Sequence, residues 1–193
     1  VDVDTGATTN LLAFTGAIRF LVDPTHARVA YQVLPESGGS SGSNVSFRPQ
    51  VASTTTTAAP LPQATVGRLE VLTLATRQIT APSTTSTQMF QWSPTGERLA
   101  YLVAEQSGAV RWRFWSDKDT VDGLAFTPPN AFLRTYARYF DDAAAVVRWW
   151  SPDGKAFVYA GRAGARNGVF VQQMNGTTPV LVNDGDTAVW SPR

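Results

Sequence analysis

The sequence has 193 residues, of which 43% are hydrophobic and 16% are charged, and this balance is typical of a folded protein and not of a disordered tail. The formal charge of only +1 argues against the basic surface that nucleic-acid binding requires. Because the chain has no cysteine, disulfides, thiolate metal sites and cysteine nucleophiles are excluded. No apolar run approaches the roughly 20 residues of a membrane-spanning helix.

The first residues resemble part of a β-sheet. Residues 1–6 lack the basic start and the apolar centre of a signal peptide, and their pattern is that of a third strand with its turn. The sequence does not begin with methionine. We interpret it as a mature product or as one piece of a longer polypeptide.

A ten-residue unit that ends in tyrosine occurs three times, and a fourth copy begins near residue 190. The copies are residues 22–31, 92–101 and 150–159, followed by residues 190–193. Each full copy has a proline that presets φ at the first central turn position. Gly96 and Gly154 can take the positive φ of a turn exit, and His26 occupies the equivalent position. Since apolar residues flank each turn, every copy predicts a β-hairpin.

The third copy continues into further strands. Residues 161–168 are rich in glycine and arginine and predict a long hairpin turn; a strand, a turn at Asn175 and Gly176, and another strand follow. The 40 residues from Trp150 to Trp190 match the length of one propeller blade. The fold class predicted is therefore all-β, a partial β-propeller of four-stranded antiparallel blades with one short helical insertion. An ordinary β-sandwich is the alternative, but it has no reason to repeat one turn in every sheet.

We expect one propeller segment over residues 1–193, with about three blades plus part-blades and two insertions. Residues 35–64, rich in Ser, Thr, Gly and Pro, predict a flexible loop. Residues 117–145 predict an insertion with a short amphipathic helix capped by Asn130, and an edge strand is the alternative. The apolar residues at helical spacing are Phe132, Leu133, Tyr136, Tyr139 and Phe140.

The repeat resembles a known family. Trp-Ser-Pro-Asp-Gly at residues 150–154, followed by an apolar strand ending in Tyr159, is similar to the PD40 repeats of TolB-like bacterial β-propeller proteins. The Gly-His and Trp-Asp signatures of WD40 repeats are missing. The resemblance covers most of residues 18–193 and implies a propeller architecture. It implies little about function, because propellers host many unrelated activities.

Three patterns could suggest chemistry, and we interpret none of them as a catalytic or metal site. Gly38, Ser40 and Gly42 match Gly-x-Ser-x-Gly, but no strand-to-helix turn surrounds them and the only histidine, His26, lies upstream. A lone imidazole cannot build a metal site. The pairs Asp2 with Asp4 and Asp184 with Asp186 could offer a weak Ca²⁺ site, but they fit polar turn residues better because neither lies in a complete ligand loop.

The strand from Val110 to Trp115 has two different faces. Val110, Trp112 and Phe114 give one face apolar bulk, whereas arginines and Trp115 occupy the other. Packing between blades is the favoured interpretation, and a partner-binding patch is the alternative because Trp and Arg dominate interface hot spots. The repeated Trp92, Trp150 and Trp190, with Val22 in the first copy, are expected to pack at blade edges.

The sequence therefore predicts a non-catalytic β-propeller that acts as a protein-interaction or structural scaffold module in a larger chain or complex. The partner-binding residues stay unknown at this point, and we expect no cofactor. The alternative is the substrate-gating propeller of a prolyl-oligopeptidase-like serine hydrolase whose catalytic domain is not in this chain. Asn44 and Asn175 start glycosylation acceptor patterns, which favour an extracytoplasmic location, periplasmic or at the cell surface.

Overall fold

The computed structural model describes residues 10–35, 65, 67–105, 108–136, 146–176 and 178–191. These residues form three antiparallel β-sheets and one short helix, so the prediction of an all-β fold with a short helix is confirmed. Sheet 1 contains β1 (Ile18–Val22), β2 (Arg28–Val33), β3 (Leu69–Thr73) and β4 (Gln78–Ser83). Sheet 2 contains β5 (Met89–Trp92), β6 (Leu99–Ala104), β7 (Val110–Trp115) and β8 (Thr120–Phe126). Helix α1 (Asn130–Thr135) precedes sheet 3, which contains β9 (Ala156–Ala163), β10 (Arg166–Gln173) and β11 (Val180–Asn183).

Each sheet is a simple meander in which neighbours along the chain are hydrogen-bonded neighbours in the sheet. An isolated bridge between Trp150 and Phe157 adds a short first segment beside β9, in the place that β1 and β5 have in the other sheets. The hairpins predicted from the repeat are thus confirmed at all three copies. The described sheets do not close on themselves.

The hairpin turns share one hydrogen-bond device. A side-chain oxygen directly after the Trp position accepts the backbone N–H five residues later: Ser93 Oγ from Arg98 at 3.1 Å, and Ser151 Oγ from Ala156 at 2.9 Å. Asp23 does the same in sheet 1, where Oδ1 accepts from the N–H of Arg28 at 3.2 Å. This capping keeps the turn polar groups satisfied although all three side chains are buried.

The turn exit has the predicted left-handed backbone in every copy. Gly96 and Gly154 have φ of 74° and 69°, and His26 has φ of 58°. Glycine takes this conformation without a steric cost, whereas a residue with a Cβ takes it only at a steric cost. His26 is therefore a turn residue, as the sequence predicted.

Sheet 2 lies between the other two sheets, which explains its continuous apolar strands. In β6, residues 99–103 are all buried, so both faces of this strand are covered. Tyr101 donates its hydroxyl to the Pro82 carbonyl of sheet 1 at 2.9 Å. On the other side, Phe114 packs edge-on against Phe157 of sheet 3, with ring centroids 5.1 Å apart.

Helix α1 lies against sheet 3 through one side. Phe132 is buried, and both Phe132 and Tyr136 contact the ring of Trp149, with centroids 6.0 and 5.6 Å away. The edge-strand alternative is therefore wrong for these residues. The predicted capping by Asn130 is also wrong, because Pro129 is the N-cap, Asn130 is the first helical residue, and no side chain caps the helix.

Glycine misled the sequence analysis in residues 161–168. These residues are not a long turn: β9 runs to Ala163, β10 begins at Arg166, and a two-residue turn joins them. Gly161 lies in β9 where a Cβ would come 2.9 Å from the Thr127 carbonyl oxygen and would also overlap the ring of Phe126. Close approach of sheet 2, and not a turn, therefore accounts for glycine at this position.

Several expectations fall outside the described residues. They concern the strand and turn at residues 1–6, nearly all of the loop at residues 35–64, and residues 137–145 of the second insertion. Tyr139 and Phe140 of the expected helical pattern belong to this last range.

Candidate functional site

The repeated turns of the three sheets surround one cavity of about 510 Å³. Its wall combines the Trp and Pro positions of successive copies of the ten-residue unit with a few neighbouring residues. The lining residues are Leu21, Val22, Pro24, Gln91, Trp92, Pro94, Val147, Arg148, Trp150, Pro152, Trp190 and Ser191. We call this cavity the Trp–Pro cup. Its volume is in the range of small-ligand sites, which are mostly apolar with a few polar groups.

The tryptophans of the Trp–Pro cup connect each sheet to the one before it. The indole Nε1 of Trp92 donates to the carbonyl of Leu21 at 3.1 Å, and Nε1 of Trp150 donates to the carbonyl of Gln91 at 3.3 Å. Leu21 and Gln91 hold the same position, one residue before the Trp position of their own copy. We call this repeated hydrogen bond the indole clamp. Because both rings are buried, the clamp also satisfies an otherwise costly buried donor.

Trp190 begins the fourth copy but makes a different contact. Its backbone N–H donates to the carbonyl of Arg148 at 2.8 Å, next to the first segment of sheet 3. Its indole Nε1 is buried without an acceptor among the described residues. The carbonyl that corresponds to Leu21 and Gln91 belongs to Trp149, and it accepts the N–H of Val158 at 2.9 Å. The indole clamp is thus complete at Trp92 and Trp150, within the described part of the chain.

An arginine reinforces the junction of sheets 1 and 2 beside the cup. The guanidinium of Arg28 lies over the ring of Trp92, 4.7 Å from its centroid, and forms ion pairs with Asp23 at 3.4 Å and Asp117 at 3.0 Å. It also donates to the carbonyl of Gly96 in the next turn. A planar, permanently charged guanidinium suits this combination of stacking and forked bonding.

Asp23 is charged and almost completely buried, and its partners stabilise the charged form. Burial raises the pKa of this carboxyl, but hydrogen bonds from Thr25 and from Arg28 and Ala27 outweigh burial and hold the pKa below its ordinary value. The other two copies have uncharged Ser93 and Ser151 at this position. We call the residue at this position, whose side-chain oxygen caps the turn, the turn anchor. Among the three described copies, only the turn anchor of sheet 1 is ionisable.

The two faces predicted for β7 are confirmed. Val110, Trp112 and Phe114 are all buried, and Trp112 contacts Trp149 with centroids 5.8 Å apart. On the other face, Arg111 pairs with Glu105 at 2.7 Å and Arg113 pairs with Asp122 at 3.2 Å. Trp115 is 8% exposed and meets Trp92 edge-on. This face is occupied by internal contacts, which favours the packing interpretation over a partner-binding patch.

Of the residues weighed for chemistry, His26, Asp184 and Asp186 lie in the described part of the chain. Asp184 and Asp186 are exposed, and no group of three or more His, Cys, Asp or Glu side chains suited to a metal ion occurs among the described residues. Asp2, Asp4 and the Gly38, Ser40 and Gly42 pattern lie outside those residues, as does Asn44. In the described part, no helix is long and apolar enough to cross a membrane.

Sheet 1 carries an apolar surface that was not predicted from the sequence. Phe20 and Val22 of β1 are 60% and 45% exposed, and Phe14, just before the strand, is 46% exposed. Phe14 and Phe20 line a second cavity of about 310 Å³ on the side of sheet 1 that faces away from sheet 2. We call this side the outer face of sheet 1. Ile18, Phe20 and Val22 alternate with other residues in the sequence, and this period of two was the available signal.

The comparisons with known proteins add no family to these observations: no protein-family model matches the chain, and no curated protein sequence matches it.

Proposed function

We propose that this chain is a segment of a β-propeller similar to TolB-like PD40-repeat proteins, in which the three sheets are successive blades. The support is the repetition of one turn, one capping oxygen and one indole clamp in consecutive meanders of three or four strands. A sandwich of two sheets would give no reason for the first strands of three sheets to surround one cavity.

We further propose that the segment is a non-catalytic interaction or scaffold module of a larger chain or complex. The observation that carries this proposal is the outer face of sheet 1, where Phe20 is 60% exposed beside a cavity lined largely by apolar residues. Contiguous exposed apolar surface of this kind marks interaction sites in soluble proteins. The opposite face of the same sheet is covered by sheet 2, so the sheet has the apolar pattern of one that packs on both sides.

Affinity capture from the source cell, followed by mass spectrometry, tests the interaction. A protein retained by the wild-type chain and lost with Phe20→Asp supports the proposal, provided that Ala75→Asp keeps it. Ala75 is a matched control because it lies exposed in the turn between β3 and β4 of the same sheet. Failure to retain any protein at micromolar concentration, or equal retention by Phe20→Asp, would count against the outer face as the interaction site.

The complete gene product separates this proposal from its alternative. A hydrolase domain with its own Ser, Asp and His on the same polypeptide would make the segment the gating propeller of a prolyl-oligopeptidase-like enzyme. A polypeptide made only of further repeats supports the scaffold. We also propose an extracytoplasmic location, and cell fractionation with an antibody tests it, since recovery in the cytoplasm would refute it.

A further inference from the structure

Two Asn-Gly pairs occur in sheet 3, and the structure holds them very differently. Asn167 and Gly168 lie within β10, whereas Asn175 and Gly176 form the turn that leads from β10 towards β11. Both asparagine side chains are exposed to solvent. Exposure therefore does not distinguish the two asparagines, whereas the glycines that follow them lie in different surroundings.

Asparagine before glycine is prone to an intramolecular reaction. The backbone nitrogen of the glycine attacks the side-chain carbonyl carbon of the asparagine, a C–N bond closes a five-membered succinimide, and the side-chain nitrogen leaves as ammonia. Solvent water then opens the ring to aspartate or to isoaspartate, in which the backbone runs through the side chain. The step requires the glycine N–H to leave its hydrogen bond and approach the side chain, which glycine permits because it has no Cβ.

Gly168 is fixed in place. It is buried and lies opposite Gly161 in the ladder between β9 and β10, with β11 on the other side of β10. A Cβ on this glycine would overlap the carbonyl oxygen of Asn183, so the β11 backbone packs directly against it. The nitrogen of Gly168 can reach the Asn167 side chain only after this part of sheet 3 opens.

Gly176 lies outside the ladder. It is exposed, its φ is 82°, and no atom of the described residues beyond its chain neighbours lies within 4 Å of the position of a Cβ. Turn residues of this kind move on far shorter timescales than a strand opens. We propose that Asn175 is a site of spontaneous deamidation through Gly176 and that the ladder protects Asn167 from the same reaction.

The product changes the molecule in two ways. Aspartate or isoaspartate at position 175 adds one negative charge, which brings the formal net charge of the chain from +1 to zero. It also removes the amide that the Asn-Gly-Thr acceptor pattern offers for glycosylation. Ageing of the protein would therefore create a second charge form that differs in the turn before β11.

Site-resolved peptide mapping tests the proposal on the whole chain. The native protein is incubated at neutral to mildly alkaline pH, and the conversion of each asparagine to aspartate and isoaspartate is followed by mass spectrometry. The same measurement in denaturant gives the reactivity that each Asn-Gly pair has without structure. Asn175→Gln is the control variant, because glutamine forms the corresponding ring much more slowly and the exposed turn accommodates it.

In the native protein we expect Asn175 to react at least about tenfold faster than Asn167, which corresponds to 1.36 kcal/mol or more of opening free energy in β10. In denaturant the two rates should become similar. The native isoaspartate signal should disappear in Asn175→Gln. Equal native rates at the two asparagines, while both react in denaturant, would overturn the proposal.

Discussion

Sheets 1 and 2 are built on the same pattern but lie in different surroundings. In sheet 2, Phe114 is fully buried because sheet 3 covers that face, and Tyr101 on the opposite face bonds to sheet 1. In sheet 1, Ala30 faces sheet 2 and is fully buried, whereas Phe20 on the outer face is 60% exposed. Strands of similar composition thus carry a fully covered face in sheet 2 and, in sheet 1, a face that is exposed along β1, although Tyr31 of β2 on the same face is buried. The exposed apolar residues of β1 are the observation on which the proposed interaction site rests.

The largest expected difference in the free energy of unfolding is between phenylalanine truncations in the two sheets. Phe114→Ala should lower the free energy of unfolding by about 3–5 kcal/mol, through lost burial and a cavity beside Trp150 and Phe157. Phe20→Ala should lower it by less than about 1 kcal/mol, because the ring is already mostly exposed. Denaturant unfolding at several protein concentrations measures both. A large, concentration-dependent loss for Phe20→Ala would mean that the outer face is covered by another copy.

The charged turn anchor gives a second contrast between the sheets. Asp23→Ser places in sheet 1 the residue type of the other two copies, and it should cost about 1–3 kcal/mol because Arg28 loses a buried ionic partner. Folding lowers the pKa of Asp23 below its ordinary 3.8, so the unfolded state binds this proton more readily. Its stabilisation is therefore present above pH 3.8 and is lost as the pH falls through the lowered value.

Unfolding measured from neutral to acid pH checks this assignment. The wild-type chain should lose stability at the acid end more steeply than Asp23→Ser. Parallel acid profiles would show that Asp23 does not contribute through its charge. Ser93→Ala is a matched control, since it removes the same capping oxygen in sheet 2 without changing the charge.

The indole clamp can be tested by replacing tryptophan with phenylalanine, which keeps an aromatic ring but has no N–H donor. Trp150→Phe should cost about 1–2 kcal/mol, since it loses the hydrogen bond to Gln91 and part of a buried ring. Trp190→Phe should cost less than about 0.5 kcal/mol, because its ring is only partly buried and its Nε1 has no acceptor among the described residues. Chemical unfolding of the two variants gives the difference. Equal losses would show that the clamp at Trp150 adds nothing to packing.

The smallest expected effect concerns the turn exit of sheet 1. His26→Gly should raise the free energy of unfolding by about 0.5 kcal/mol, because φ of 58° strains a residue with a Cβ. Gly96→Ala should act in the opposite direction, since its Cβ would lie 3.1 Å from Thr25 Cγ2. Thermal unfolding of both variants is sufficient. A loss of stability in His26→Gly would mean that the imidazole contributes more than the backbone strain costs.

The structural features that could be predicted from the sequence are those that depend only on residues close together in the chain. In two copies proline and the glycine two residues later fix the hairpin turn, and His26 takes the glycine position in the first copy, so the hairpins could be located without tertiary information. The two-faced β7 was also predictable from its alternation. By contrast, the indole clamp joins Trp150 to Gln91 across two sheets, and no local pattern shows which carbonyl an indole will meet.

The wrong predictions concern residues whose conformation depends on tertiary contacts. Gly161 was taken for a turn residue because glycine usually marks turns, yet it lies in a strand where sheet 2 approaches too closely for a Cβ. Asn130 has the residue type of a helix cap, but Pro129 takes that position. The pairing of Arg111 and Arg113 with acidic neighbours likewise depends on tertiary contacts, so the sequence alone left their role open.

Determining the structure of the complete gene product, by crystallography or cryo-electron microscopy, tests the central claim most directly. The account predicts a closed ring of meander sheets, with the Trp–Pro cup at the axis of the ring and the outer face of sheet 1 covered by another sheet or by the captured partner. A structure in which neither a further sheet nor a captured partner covers the outer face of sheet 1, or in which the three sheets belong to a two-layer sandwich, would contradict it.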